Sequence, residues 1–173
     1  ITNVFEEYEA YLKLGENPDL RFVISNTTEA GIVFDQTDHT SDSISKTFPG
    51  KLTSLLYHRF KTFDGDTSKG LVFLPCELIE QNGAALKECI QKYISFWKLA
   101  TEFSEWIDWN NIFCNTLVDR IVPGFPKGSI EEIQEKIGYK DDMAVMVEPY
   151  HFWAIEGADV VKEEFPLDKA GLN

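Results

Sequence analysis

Two short apolar runs constrain the fold of this chain more than anything else in it. Phe22-Val23-Ile24-Ser25-Asn26-Thr27-Thr28-Glu29-Ala30-Gly31 passes abruptly from β-branched and aromatic residues into small polar ones, a carboxylate and a glycine. Leu71-Val72-Phe73-Leu74-Pro75-Cys76-Glu77-Leu78-Ile79-Glu80-Gln81-Asn82-Gly83 repeats the design. A continuous apolar run of four or five residues is the pattern of a strand buried on both faces, which points to a parallel sheet covered by helices. In open sheets of this class ligands bind beyond the carboxyl ends of the strands, so two such ends in one chain imply one site.

The helical periodicity agrees. Asn3 with Glu6 has the spacing of a capping box, ahead of a stripe of Val4, Tyr8, Tyr11 and Leu12 that stops near Gly15 and Pro18. Pro49 stands at the start of a helix carrying Leu52, Leu55, Leu56, Phe60 and Phe63 on one face until Gly65. Leu86, Ile90, Tyr93, Ile94 and Trp97 mark a further helix, and Phe103, Trp106 and Trp109 an aromatic one. Ser129 and Glu132 form a second capping box before Ile130, Ile133 and Ile137, with Gly138 as terminator. Residues 35–47 are polar and aperiodic and read as a surface loop, the stretch of the chain least constrained to be ordered. Met143 to Ile155 alternates enough for a strand or hairpin, and Pro149 confines it to an edge. The order strand, helix, strand, helix predicts parallel pairing.

Composition narrows the function. The 173 residues carry 29 acidic and 16 basic side chains, a formal charge of -13, and such a surface repels nucleic acid and anionic membranes. No apolar run approaches the roughly 18 residues that a membrane span needs, and no signal segment opens the chain; a cytoplasmic location is expected. Cys76, Cys89 and Cys114 lack a C-x-x-C spacing, which fits reduced thiols, and His39, His58 and His151 are too scattered to suggest a metal site.

Four ordered segments, Phe22 to Gly31, Leu74 to Gly83, Phe113 to Pro123 and Glu148-Pro149-Tyr150-His151-Phe152-Trp153, together resemble the mannitol dehydrogenase family of long-chain, zinc-independent polyol and hexuronate oxidoreductases, and in particular its hexuronate branch. The resemblance runs from Val4 to Asn173. It implies an α/β fold: the later part of a Rossmann-like dinucleotide-binding domain with an added edge hairpin. No G-x-G-x-x-G fingerprint is present and the chain opens at Ile1, so residues 1–173 are expected to be a middle piece of a longer enzyme, its remaining partner being the rest of its own chain. In the family the fingerprint precedes this region, and a helical domain with the catalytic lysine follows it. The implied cofactor is NAD, and the implied reaction is interconversion of D-tagaturonate and D-altronate. Fructuronate reduction, mannitol-type polyol oxidation and a non-catalytic acidic binding domain are the alternatives. The isolated piece is expected to be inactive.

Residue by residue, Ser25, Asn26, Thr27 and Thr28 fall where relatives meet the nicotinamide and its ribose, and Glu29 where a carboxylate passes protons between a dry site and solvent. From the residues alone the same stretch is equally a turn closed by local hydrogen bonds, with Glu29 solvated. Asn82 aligns with an amide that donates to the substrate oxygen, although Asn before a helix is also a preferred N-cap. Most polyol dehydrogenases of the family have Asp-Asn where this chain has Glu77-Leu78, so no role is carried over to Glu77. Asp119 and Arg120 read either as an internal ion pair or, by resemblance, as support beside the cleft. No metal ligand is expected.

Overall fold

The computed structural model describes residues 3–39, 43–157 and 159–170. Contacts divide the chain into a larger unit, 1–116 with 155–173, and a smaller one, 117–154.

The larger unit is built on three parallel strands in the order β1 (Phe22–Ser25), β2 (Val72–Pro75), β3 (Ile112–Phe113). Phe22 lies opposite Val72 and Ser25 opposite Pro75, while Val72 and Phe73 face Ile112 and Phe113. The central strand is buried at all four positions, as its unbroken apolar sequence requires. Pro75 closes it because its nitrogen has no hydrogen to extend the ladder. Helices α2 (Phe48–Thr62), α3 (Asn82–Phe96) and α4 (Thr101–Asn110) connect the strands, and their apolar stripes meet in one core: Leu52, Leu55 and Leu56, then Leu86, Ile90 and Ile94, then Phe103, Trp106 and Ile107, with Leu71 and Phe73 of the β2 region. Phe73 and Phe113 stack across neighbouring strands with centroids 4.4 Å apart. α2 begins as expected, with Pro49 in its first turn and the Thr47 hydroxyl accepting from the Gly50 amide at 3.1 Å.

Four local expectations change. Trp109 is on α4 but 83 % exposed. A spacing of three residues falls about 60° short of a full turn, so two such steps from Phe103 carry Trp109 off the core face. The Asn3–Glu6 capping box is displaced by one residue: α1 spans Tyr8–Leu14, Asn3 Oδ1 accepts from the Phe5 amide, and Glu7 rather than Glu6 reaches back to the Asn3 amide at 3.3 Å. Ser129 precedes α5 (Ile130–Ile137) but makes no side-chain cap, and Glu132 pairs with Lys136 at 2.6 Å instead. The described parts of the polar stretch, 35–39 and 43–47, are anchored: Asp38 is buried and accepts from the amides of Lys46 and Thr47, the Thr47 hydroxyl and the Tyr93 hydroxyl at 2.7 to 3.3 Å, and Trp97 Nε1 donates to the Asp38 carbonyl. One carboxylate with four donors joins two segments that hydropathy leaves unassigned. Residues 40–42 lie outside the described residues.

At the edge opposite the strand ends, Arg59 is fully buried and donates to the carbonyls of Gly15, Asn17, Leu20 and Lys69 at 2.8 to 3.2 Å, which ties the segments that enter β1 and β2 to α2. α6 (Asp159–Glu164) is held by a two-point ion pair from Arg21 to Glu164 at 2.9 Å and by Phe165 against Phe22.

The hairpin expected over Met143 to Ile155 is shorter than its alternation suggests. β4 (Asn115–Asp119) and β5 (Phe152–Glu156) form a separate two-stranded sheet, and within the smaller unit Met146 contributes only an isolated antiparallel bridge to Gly124. Pro149 falls between bridge and strand. The smaller unit also contains α5, which ends at Gly138.

Candidate functional site

The candidate site is the carboxyl edge of the parallel sheet, where the loops leaving β1 and β2 come together. They meet through Glu77. Its side chain is buried, 2 % exposed, and its carboxylate accepts from the Ser25 hydroxyl at 3.0 Å, the Thr27 amide at 3.0 Å and the Thr27 hydroxyl at 2.9 Å. The sequence singled out Glu77 only as a departure from the Asp-Asn of most polyol dehydrogenases and assigned it no role, because a carboxylate after a strand is ordinarily a solvated loop residue.

Asn82 is the second organiser of this edge, and it is not the N-cap that its position before a helix suggested. It is 0 % exposed and is the first residue of α3, not its cap; Gln81, in a left-handed conformation with φ 51°, occupies the capping position. Asn82 Nδ2 lies 2.9 to 3.0 Å from the carbonyls of Pro75, Glu77 and Thr116, and Oδ1 accepts from the Gly83 and Thr116 amides at 2.9 and 2.8 Å. A primary amide has two hydrogens, and three backbone oxygens already compete for them. The Asn82 amide is thus engaged by backbone carbonyls in this arrangement. The side chain latches the end of β2, the start of α3 and the start of β4. Gly83 is required beside it, since a Cβ there would stand 2.3 Å from the Cys114 carbonyl. The Thr116 hydroxyl adds a bond to the Pro75 carbonyl.

Ser25 and Thr27 thus donate their hydroxyls to Glu77; Ser25 is buried and Thr27 exposed. Asn26, Thr28 and Glu29 are exposed on the loop. Asp119 and Arg120, in the smaller unit, are both exposed and do not pair with each other among the described ion pairs. Arg120 instead donates from Nε and Nη2 to the Glu148 carbonyl at 3.2 and 3.1 Å, while Glu148 Oε1 accepts from the Ile121 amide at 2.6 Å. The internal ion pair expected there is replaced by a backbone clasp between 120–121 and 148.

Cys76, Cys89 and Cys114 are free and buried, and burial pushes all three thiols above their usual range, which leaves them protonated and poorly nucleophilic. Among the described residues no group of three or more His, Cys, Asp or Glu is placed to hold a metal ion, and no helix is long and apolar enough to cross a membrane.

A parallel sheet with helical crossovers and polar loops clustered at its carboxyl edge defines a Rossmann-type α/β domain. The chain belongs to the mannitol dehydrogenase family: the model described as the mannitol dehydrogenase Rossmann domain matches residues 1–169. Within it, the chain is similar to the altronate oxidoreductases of Bacillus subtilis (strain 168), 53 % identical over 171 residues, of Bacteroides thetaiotaomicron, 54 %, and of Pectobacterium carotovorum, 47 %. These alignments cover 99 % of this chain but 35 to 36 % of each relative, so the chain spans about a third of their length. Two solved structures share the fold. A Pseudomonas fluorescens mannitol 2-dehydrogenase in ternary complex with NAD and D-mannitol superposes with a TM-score of 0.74 at 22 % identity, over 88 % of this chain and 32 % of that one. A D-sorbitol dehydrogenase in substrate-free form gives 0.76 at 24 % identity, over 98 % and 36 %.

Proposed function

We propose that this chain is the later part of the NAD-binding Rossmann-like domain of a longer cytoplasmic oxidoreductase that interconverts D-tagaturonate and D-altronate. The identity of 53 % to an altronate oxidoreductase along nearly the whole chain carries the reading. In the proposed division of the protein, the phosphate-binding turn and the catalytic helical domain with its general acid/base lie in the rest of the chain. That remainder and a small-molecule hexuronate are its partners.

The residues at the carboxyl edge fit a nicotinamide riboside. Asn26 and Thr28 expose uncharged donors and acceptors of the kind that ribose hydroxyls and a carboxamide need, and the loop that carries them is held rigid from beneath by Glu77. When bound, the nicotinamide supplies the hydride that reaches the keto carbon. In this reading Glu29, exposed on the same loop, exchanges a proton with solvent. Asn82 shapes the floor of the site through the backbone atoms it latches.

The test is oxidation of NADH by the full-length protein with D-tagaturonate, D-fructuronate and D-fructose in parallel. Preference for tagaturonate is expected. Preference for fructuronate or fructose moves the enzyme to the neighbouring hexuronate or polyol specificity, and absence of NADH oxidation with all three, together with absence of NADH binding, removes the reading.

A further inference from the structure

A buried carboxylate demands an account, because burying a charge is costly unless specific partners offset it. Among the described residues no cation forms an ion pair with Glu77. Its charge is met by three hydrogen bonds, and all three donors come from one short segment, the Ser25 hydroxyl and the Thr27 amide and hydroxyl. Hydrogen bonds to an ionised acceptor are shorter and roughly twice as strong as neutral ones, and they fix direction as well as distance.

The segment they hold has little else to define it. Residues 26–30 are all exposed and belong to no strand or helix. Local closure comes from the Gly31 amide donating to the Thr28 carbonyl at 2.8 Å, and the turn folds so tightly over the Thr27 hydroxyl that a Cβ at Gly31 would stand 1.7 Å from it. The Thr27 hydroxyl is thus enclosed between Glu77 and Gly31. On its other side Glu77 is anchored by its own main chain, whose carbonyl accepts from the buried Asn82 amide at 3.0 Å. One residue therefore joins the loop after β1, through its carboxylate, to the latch that sets the start of α3, through its carbonyl.

We infer that Glu77 is a positioning residue for the reaction: it acts through Thr27 and Ser25 to set the exposed Asn26–Glu29 face in the geometry that receives the cofactor, and does not itself touch substrate. This rests on the placement of NAD at that loop proposed above.

The test uses the full-length protein and three substitutions. Glu77→Gln keeps the shape but removes the charge, Thr27→Val removes one donor from an exposed residue and so spares the core, and Arg59→Met loosens the opposite edge of the sheet as a measure of instability alone. Dissociation constants for NADH, kcat and melting temperature are measured for each. Glu77→Gln is expected to weaken NADH binding about tenfold, the equivalent of roughly 1.4 kcal/mol, and Thr27→Val by about three- to tenfold. The double variant is expected to be scarcely worse than Glu77→Gln, because both changes break the same contact and neighbouring effects do not add. Arg59→Met is expected to lower the melting temperature without changing NADH affinity. If Glu77→Gln does not fold, Thr27→Val decides. NADH affinity and kcat within twofold of wild type in the single variants, or losses that simply add in the double, overturn the inference. A wild-type protein that binds no NADH instead overturns the placement of the cofactor, and this inference falls with it.

Discussion

Replacing Asn82 by Asp is the sharpest test of how the carboxyl edge is held together. An N-cap argument expects almost no cost, since Asn and Asp rank alike at that position. The environment says otherwise. Asn82 Nδ2 sits 2.9 to 3.0 Å from three carbonyl oxygens, and the residue is wholly buried. In the variant an acceptor oxygen faces three acceptors, two hydrogen bonds of about 1 kcal/mol each are lost, and a charge is buried without a partner, a situation that costs about 3–5 kcal/mol in other buried sites. At roughly 2–4 °C per kcal/mol for a domain of this size, the combined loss of about 5–7 kcal/mol corresponds to a fall in melting temperature of about 10–28 °C near neutral pH. The new carboxyl escapes part of the cost by holding its proton, which lets it donate to one of the three carbonyls. Its pKa is therefore raised in the folded state, the folded protein binds more protons than the unfolded one, and stability drops as pH rises. The deficit against wild type should be smallest at pH 5 and largest at pH 8. Thermal unfolding of the full-length variant at pH 5, 6.5 and 8 measures it. A melting temperature within about 2 °C of wild type at pH 8 would refute the latch and restore Asn82 as a simple cap.

Two further outcomes follow from other buried groups. Arg59→Met should cost about 4 kcal/mol, because the carbonyls of Gly15, Asn17, Leu20 and Lys69 lose a charged donor at once; chemical denaturation reads the loss, and a change below about 1 kcal/mol would contradict the geometry. Cys76, Cys89 and Cys114 should resist a thiol reagent in the native protein at pH 8 and react fully on unfolding, since burial raises each above the usual value near 9.0. Raised thiols contribute stability that is present below the unfolded pKa and is lost as pH climbs through the folded one, so alkaline pH should both destabilise the protein and open the thiols. Rapid labelling of the native protein at pH 8 would contradict their burial.

The α/β class, the buried central strand, the apolar faces of the connecting helices and the family were legible in the sequence because each rests on local pattern, whereas β1, also read as buried, leaves Ile24 51 % exposed. The unbroken apolar run of β2 is buried at all four positions, and Pro49 stands in the first turn of α2 as its fixed backbone angle favours. Two of the family segments, Phe22 to Gly31 and Leu74 to Gly83, carry the loops that leave β1 and β2. The working parts of the carboxyl edge were decided by tertiary structure. Glu77 meets Thr27 across 50 residues, Asn82 meets Thr116 across 34, and Asp38 meets Tyr93 across 55. A polar side chain can bond a local amide, a distant carbonyl or water, and nothing in its own neighbourhood chooses among them. Burial makes the choice, because once the sheet closes over Glu77 and Asn82 water is gone, and every remaining donor and acceptor has to be met by whatever backbone the fold has brought within reach.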